Sequence, residues 1–239
     1  MTPLRLKEFK MVFYDGFAAA WPICLGYFPI GMALGVLARQ AGLTPLDIGL
    51  MSLLVFAGSA QFIAVAMLAS GSSPGAIIAT TFVVNFRHVL MSSALAVHLH
   101  GVSKRFLALF AYGVTDESFA VNMTRFREGN WDRWRALVVH HCANGVWFLA
   151  TVTGALVGSL IPAGAFGIDF ALPAMFLALL VLQFQSRIHV VTALVATAVS
   201  VVCTLYVPGD SNAVIAAVTA ASIGYLLQRR KSPKREKAA

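Results

Sequence analysis

Long apolar runs, separated by short polar segments, make up most of this 239-residue chain. A helix crosses a bilayer with about 20 apolar residues, so each run is predicted to form a membrane-spanning helix. The runs cover residues 16–37, 48–68, 75–99, 106–122, 136–161, 170–185, 188–207 and 213–228. The fourth and sixth lie near the lower length limit. The pattern predicts an all-α polytopic membrane protein with about eight transmembrane helices, some of them broken.

The two ends of the chain differ from its apolar middle. Residues 4–14 mix basic and apolar side chains, which predicts a short amphipathic helix at the membrane interface. Residues 229–239 form a basic tail suited to anionic lipid headgroups. We therefore divide the chain into a cytoplasmic interfacial segment (1–15), a transmembrane transport domain (16–228) and a basic cytoplasmic tail (229–239).

Composition and charge support a membrane protein. The chain is 59% hydrophobic and 12% charged, whereas a soluble domain carries about 25% charged residues. The net charge of +8 lies in loops and tails beside the apolar runs, so it indicates orientation in a membrane and no nucleic-acid partner. With both termini cytoplasmic, 14 of the 18 Lys and Arg residues lie inside. Arg39, Lys104 and Arg105 lie outside, and Arg87 lies within a run.

Similar residues recur in the two halves of the chain. The matched positions are Gly31-x-x-x-Gly35 with Gly154-x-x-x-Gly158, Asp47 with Asp169, and Gln61-Phe62 with Gln183-Phe184. The offsets favour a parallel repeat of two four-helix halves, in which the first and fifth runs point the same way. Small-xxx-small pairs are common in membrane helices, so coincidence is the alternative.

Arg87 is the only charged residue in the run 75–99, and it lies near the middle. A charge at this depth costs at least about 2.5 kcal/mol, so Arg87 is predicted to face a polar cavity or a carboxylate. One interpretation is a structural ion pair that locks two helices. The other is a binding site for a substrate carboxylate, which a guanidinium can hold with two hydrogen bonds. Asn85 is predicted to line the same cavity.

Asp116 and Glu117 are the expected partners for this arginine. Neighbours on a helix point about 100° apart, so the two acids are expected to serve different groups. One would pair with Arg87, and the other would exchange protons or bind an amino group. Glu117 is favoured for proton exchange over Asp116. His88 is a further proton-coupling candidate, although a simple hydrogen bond to a neighbour is the alternative.

Four more residues are candidates for substrate binding. The amide of Gln61 would lack partners in lipid, and Ser59 and Gly58 leave room for close approach. Pro29, with Pro22, removes backbone hydrogen bonds in the first run, which frees carbonyl groups to line a cavity. Helix packing is the alternative for Gly58, and a kink without function is the alternative for the prolines.

The remaining motifs argue against enzymatic chemistry. The chain has no Walker A, HExxH, GxSxG or GxGxxG sequence. The histidines at 98, 100, 140 and 141 lack companion ligands at suitable spacing, and the three cysteines are far apart, so no metal or cofactor is predicted.

Five segments together resemble one known family. They are "GFAAAWPICLGYFPIGMALG", "MSLLVFAGSAQF", "TTFVVNFRHVLMSSALA", "TDESFAV" and "DFALPAMFLALL". In this order, from about Gly16 to Leu182, they resemble the large subunit of the AzlC-type branched-chain amino acid exporters, the azaleucine-resistance permeases. The resemblance implies a bacterial inner-membrane protein that exports valine, leucine, isoleucine or similar compounds. It also implies a small hydrophobic AzlD-type partner subunit.

The resemblance and the residues lead to one expectation. A zwitterionic amino acid needs a cation, an acid or carbonyl groups, and an apolar wall, which Arg87, the two acids and the surrounding aliphatic side chains supply. We expect a proton-driven secondary active exporter, since no nucleotide motif is present. A membrane scaffold without transport activity and a passive channel for small solutes are the alternatives.

Overall fold

The computed structural model describes residues 6–160, 187–206 and 212–231, together with single positions between residues 170 and 184. These ranges hold nine α-helices and one 3₁₀ turn, Gly158–Leu160. The helices are α1 (Leu6–Gln40), α2 (Pro45–Leu54), α3 (Gly58–Ala69), α4 (Pro74–Ala96), α5 (Lys104–Tyr112), α6 (Asp116–Arg127), α7 (Arg133–Val157), α8 (Arg187–Tyr206) and α9 (Asn212–Lys231). Apart from those single positions, the predicted run 170–185 lies outside the described residues, as do residues 232–239 of the tail.

Four of the described helices are long and apolar enough to cross a membrane. They are α1 from Glu8 onward, α4, α7 and α8. The chain divides into two compact units, residues 1–69 with 84–172 and residues 70–83 with 173–239. In the second unit α8 packs against α9, where Gly224 lies against Thr192. The predicted all-α class is confirmed for the described residues.

The first helix is longer and more continuous than the sequence suggested. α1 runs for 35 residues through Pro22 and Pro29 without interruption. The break expected at these prolines is therefore wrong, and the interfacial segment from Leu6 onward is the first part of the same helix. Each proline removes one backbone hydrogen bond. The helix continues because both prolines are on its exposed side, while the opposite side packs along α7.

Glycines bring the backbones of α1 and α7 into contact. A Cβ added to Gly35 would lie 2.1 Å from the carbonyl oxygen of Thr151, and one added to Gly154 would lie 2.1 Å from that of Met32. Neither position accepts a side chain larger than hydrogen. The two Gly-x-x-x-Gly motifs therefore serve close packing, which accounts for them without a repeat. Asp169 and Gln183, on which the repeat also depends, lie outside the described residues.

α1 and α7 run in the same direction. Near the start of both helices, Asp15 Oδ2 pairs with Arg135 Nε at 2.8 Å. Further along both, the rings of Tyr27 and Trp147 lie 5.2 Å apart. Residue numbers therefore increase together along the two helices. These contacts confirm the direction that the sequence predicted for the first and fifth runs.

The second predicted run forms a helical hairpin. α2 ends at Leu54 and α3 begins at Gly58. The chain reverses between them, since Gln61 Nε2 donates to Ser52 Oγ at 3.0 Å across the bend. In one continuous helix these residues would be about 13.5 Å apart along the axis. Phe56, at the bend, has a φ of +37°, a left-handed conformation that is unusual for a bulky residue.

The fourth predicted run forms a second hairpin, whose first helix runs alongside α7. The ring of Phe106 lies 5.2 Å from that of Trp134, and the ring of Phe110 lies 4.6 Å from that of His140. α5 therefore points the same way as α7. The chain then bends at residues 113–115, between the end of α5 and the start of α6.

The second helix of this hairpin returns along the same part of α7. Ser118 Oγ lies 2.8 Å from His140 Nδ1. One turn further along α6, Asn122 Nδ2 donates to the Ala136 carbonyl oxygen at 3.2 Å. Residue numbers increase along α6 as they decrease along α7, so α6 is antiparallel to α7.

The runs 48–68 and 106–122 are therefore not single membrane-spanning helices, and the prediction of eight full spans is wrong at these two positions. The four hairpin helices have 9 to 12 residues, which makes each about 13–18 Å long. That is roughly half the ~30 Å thickness of a bilayer's hydrocarbon core. An apolar run looks the same whether it crosses once or reaches the middle and returns, so hydropathy does not distinguish the two.

Candidate functional site

The bends of the two hairpins lie against each other. Tyr112, at the end of α5, donates its hydroxyl hydrogen to the carbonyl oxygen of Leu53 near the end of α2. The ring of Tyr112 also lies 6.3 Å from that of Phe56. Asn144 of α7 donates to the Tyr112 hydroxyl oxygen at 3.2 Å. One tyrosine thus connects both bends and α7.

A cavity of about 220 Å³ lies between these bends and α4. Its lining consists of Val55, Phe56 and Ala57 from the first hairpin, Ala111, Tyr112 and Val114 from the second, and Asn85 and His88 from α4. The wall is apolar apart from the last two residues and Tyr112. Pockets for drug-sized ligands measure about 300–1,000 Å³, so this cavity suits a smaller metabolite.

Arg87 connects α4 to both hairpins. Its Nη1 lies 2.8 Å from Asp116 Oδ2, and its Nη2 donates to Ser59 Oγ at 2.5 Å. Asp116 is the first residue of α6 and Ser59 the second residue of α3. Each helix N-terminus carries a partial charge of about +0.5, so Arg87, Asp116 and the two helix ends sum to about +1, and an ionised Glu117 brings the sum to about zero. The Arg87 guanidinium and the two helix ends are the groups here that favour an anion.

A capping box places the two acids. Thr115 Oγ1 accepts a hydrogen bond from the Ser118 backbone nitrogen at 3.3 Å, and Ser118 Oγ accepts one from the Thr115 nitrogen at 2.9 Å. This reciprocal pair starts α6 at Asp116. Carboxylates in the first turn of a helix are stabilised by its dipole. The local sequence thus fixes where Asp116 and Glu117 project.

The two adjacent acids have different partners, as predicted. Asp116 pairs with Arg87, while Glu117 Oε2 lies 2.6 Å from the hydroxyl of Tyr27 on α1. That hydroxyl also lies 2.8 Å from Thr115 Oγ1. The carboxylate can only accept a hydrogen bond, so Tyr27 donates to Glu117 when the acid is ionised.

Two polar atoms of α4 at this site are buried without a partner. They are Asn85 Oδ1, an acceptor, and Arg87 Nε, a donor. Buried polar atoms are nearly always hydrogen-bonded, so each unpaired one needs an explanation. Residues two apart on a helix project about 200° from each other, so a ligand donor would complete the hydrogen bonding of Asn85 and a ligand acceptor that of Arg87 at separate positions.

His88 presents a further acceptor. Its Nδ1 lies 3.1 Å from the backbone carbonyl oxygen of Asn85. A carbonyl oxygen only accepts hydrogen bonds, so Nδ1 carries the hydrogen. In the neutral ring, Nε2 is then an acceptor. The hydrogen bond to Asn85 is the alternative role that the sequence left open for His88, and the ring lines the cavity as well.

The candidate residues of α3 lie beside the cavity lining rather than in it. Gln61 is 1% exposed, and its amide is satisfied within the protein: Nε2 donates to Ser52, and Oε1 accepts from Trp147 Nε1 at 2.8 Å. A Cβ on Gly58 would lie 3.1 Å from the Trp147 ring. These contacts hold α3 on α7. Of the three candidate residues in α3, it is Ser59 that contacts Arg87.

Pro29 lies on the exposed side of α1, away from these contacts. The residue of α1 that reaches the acids is Tyr27, which sequence reasoning missed together with Tyr112 and Phe56. A tyrosine in an apolar run was an available signal for Tyr27 and Tyr112, because a buried hydroxyl needs a partner. Within the described residues, no group of three or more His, Cys, Asp or Glu side chains is placed to hold a metal ion.

Several known proteins are similar to this chain. A family model described as AzlC protein matches residues 22–161, which is more than half of the chain. The inner membrane protein YgaZ of Escherichia coli is 31% identical over 224 residues, covering 90% of each chain. The branched-chain amino acid transport protein AzlC of Bacillus subtilis is 28% identical over 228 residues, covering 95% of this chain and 89% of that protein. A membrane protein of Archaeoglobus fulgidus is 33% identical over 192 residues, covering 79% of this chain and 83% of that protein.

No solved structure matches this chain. The region matched by the family model includes both hairpins, α4 and every residue of the site described above. The Escherichia coli relative, which covers nine tenths of the chain, is named as an inner membrane protein. The chain belongs to the AzlC family of membrane transport proteins and is not an enzyme.

Proposed function

We propose that this protein is the large subunit of a secondary active exporter for branched-chain amino acids, namely valine, leucine, isoleucine and their analogues. The observation that carries the proposal is the cavity between the hairpin bends, which has a largely apolar wall, together with Arg87, whose guanidinium contacts residues of both hairpins. An aliphatic side chain would contact Val55, Ala111 and Val114. The similarity to the Bacillus subtilis branched-chain amino acid transport protein supports the substrate class.

Arg87 is the proposed anchor for the substrate carboxylate. Its two terminal nitrogens contact Asp116 and Ser59, but its Nε is buried and unpaired. A carboxylate oxygen would satisfy that donor, and the two nearby helix N-termini favour the negative charge. The ion pair with Asp116 also links α4 to α6. Arg87 can therefore form a structural ion pair with Asp116 and bind the substrate carboxylate at the same time.

The two hairpins are proposed to enter the membrane from opposite sides. The open ends of α2 and α3 lie toward the end of α7, since Gly49 contacts Val152. The open ends of α5 and α6 lie toward its start, where Phe106 contacts Trp134. Each hairpin is about half a bilayer long, so the bends would meet near the middle. Irregular backbone at that depth is tolerated where it is buried or lines a cavity.

The distribution of basic residues supports this topology. If the second hairpin enters from the cytoplasm, Lys104 and Arg105 lie inside rather than outside. The cytoplasmic side then holds 16 of the 18 Lys and Arg residues, leaving only Arg39 outside and Arg87 within the membrane. This bias is stronger than the 14-to-3 distribution of eight full spans. Both termini remain cytoplasmic in the bacterial inner membrane.

Glu117 is the proposed proton-coupling group. Asp116 is held in an ion pair by Arg87, whereas Glu117 contacts a neutral hydroxyl of α1. Protonation of Glu117 would reverse the hydrogen bond, with the acid as donor and Tyr27 as acceptor. Such an exchange alters the contact between α1 and the second hairpin. The small hydrophobic AzlD-type subunit is proposed from the family resemblance.

Uptake of radiolabelled valine into everted vesicles tests the proposal. An exporter accumulates valine when a proton gradient is applied, and Arg87→Lys should remove most of that activity while the protein stays in the membrane. Normal transport by Arg87→Lys would contradict the anchor role. A channel would equilibrate valine without accumulation, and a scaffold would give no uptake.

A further inference from the structure

We propose that the cavity between the hairpin bends is the binding site for the substrate's ammonium group, with Asn85 Oδ1 and His88 Nε2 as acceptors. The inference deepens the proposed function and rests on it. It assigns the second charged end of a zwitterion to a place separate from Arg87. The cavity lining and the orphaned oxygen of Asn85 carry it.

The polar residues of this cavity carry three acceptor atoms, beside the Nδ2 donor of Asn85. Asn85 Oδ1 is buried and has no partner. His88 uses its Nδ1 hydrogen on the Asn85 carbonyl oxygen, which leaves Nε2 as an acceptor. The Tyr112 hydroxyl gives its only hydrogen to Leu53, so it can offer the cavity only a lone pair. A ligand group that fits three acceptors must be a donor with several hydrogens, as a primary ammonium is.

The two acceptors share one face of α4. Asn85 and His88 lie three residues apart and both line the cavity, and residues i and i+3 are neighbours on a helix surface. Arg87 is not part of the lining, but its guanidinium contacts Ser59 and Asp116, each two residues from the lining residues Ala57 and Val114. The proposed ammonium position is therefore separate from the guanidinium and close to the same two bends.

Ligand binding to the purified full-length protein tests this assignment. Thermal stabilisation is titrated with valine and with 3-methylbutanoate, which is valine without its amino group. The wild type should bind valine at least about tenfold more tightly, because a site built for hydrogen bonds rejects a ligand that lacks them. Asn85→Leu should weaken valine binding about tenfold or more and leave 3-methylbutanoate within about twofold. Asn85→Asp, which keeps an acceptor, should retain the preference for valine.

Arg87→Lys is the matched control, because both ligands carry the carboxylate. Arg87→Lys should weaken the binding of valine and of 3-methylbutanoate by the same factor. An Asn85→Leu protein that keeps the wild-type ratio of the two affinities would overturn the inference, as would a wild type that binds both ligands equally. The second result needs no variant, so it decides the matter even if Asn85→Leu does not fold.

Two other results have distinct meanings. If the wild type binds neither ligand, it is the proposed function that fails. If sodium in place of choline stabilises the wild type but not Asn85→Leu, and the valine preference is unchanged in that variant, the cavity holds a metal cation and the ammonium assignment is wrong.

Discussion

The two hairpins have similar lengths but different chemistry at their bends. The second hairpin starts α6 with Asp116 and Glu117, two ionisable groups beside Arg87. The first hairpin starts α3 with Gly58 and Ser59, which are small and neutral. One hairpin therefore supplies the charges of the site, and the other supplies a neutral face and one hydroxyl.

The bends are also held in different ways. Thr115 and Ser118 form a capping box that specifies the second bend locally. The first bend requires the left-handed conformation of Phe56, which is 2% exposed. Such a conformation costs of order 1–3 kcal/mol and persists only where packing enforces it. The comparison teaches that one bend is encoded by adjacent residues and the other by tertiary contacts.

The largest expected difference between the hairpins is the side from which each is accessible. Ser72→Cys and His100→Cys, in a background without the three native cysteines, should react with an impermeant thiol reagent from opposite sides. With opposed hairpins, Ser72→Cys is periplasmic and His100→Cys cytoplasmic. Labelling of intact cells and of everted vesicles distinguishes them. Eight full spans would give the reverse pattern, so that result would exclude the hairpin topology.

Removing the contact of Arg87 with each hairpin should have unequal effects. Asp116→Asn leaves the guanidinium without a counter-charge, so we expect a loss of about 1–3 kcal/mol in the free energy of unfolding and little transport. Ser59→Ala removes one hydrogen bond and should cost about 1 kcal/mol. Unfolding in detergent measures both. Equal effects would mean that the two hairpins hold Arg87 equally.

Proton coupling should depend on the second hairpin alone. Glu117→Gln should abolish the dependence of valine transport on the proton gradient and keep part of the valine exchange, because exchange needs no net proton movement. Ser59→Ala should keep its gradient dependence. Valine transport by the two variants, measured from pH 5.5 to 8.5, tests this difference. A wild-type pH profile in Glu117→Gln would move the coupling role to His88 or to another ion.

The bends should also differ in their tolerance of a methyl group. A Cβ on Gly113 would lie 2.5 Å from the Cβ of His140, so Gly113→Ala should destabilise the protein by about 1–3 kcal/mol. Gly58→Ala meets the Trp147 ring at 3.1 Å and should change stability by less than about 1 kcal/mol. Gly75→Ala has no atom within 4 Å and serves as the control. Thermal unfolding of the three variants measures the order of their stabilities.

The smallest expected difference between the hairpins is the effect of low pH on the capping boxes of α2 and α6. Hydrogen bonds from the Thr44 side chain, and then from its backbone, lower the pKa of Asp47 below its ordinary value of 3.8. The capping box of α2 is thus stabilising above pH 3.8 and is lost as the pH falls through the lowered pKa. The box of α6 uses Ser118 and does not titrate. Hydrogen exchange at pH 6 and at a pH below the lowered pKa of Asp47 should show loosening of the start of α2, and Asp47→Asn should remove that pH dependence.

Part of this structure follows from the sequence alone. The cost of a buried charge predicted that Arg87 needs a carboxylate, and the angle between neighbours on a helix predicted separate partners for the two acids. The hairpins did not follow, because hydropathy records polarity and not chain reversal. The capping sequence Thr115-Asp-Glu-Ser marked a helix start inside an apolar run. Phe56 gave no such sign, since its ring packs against that of Tyr112, which is distant in sequence.

The glycine contact between α1 and α7 limits how this protein can change shape. Where two backbones touch directly, as at Gly35 and Gly154, no side chain is available to change rotamer and permit sliding. Packed helices that shear past each other need that freedom. α1 and α7 therefore form a rigid frame, and the motions of a transport cycle are left to α4 and the hairpins. Enlarging either glycine would alter the frame on which those motions depend.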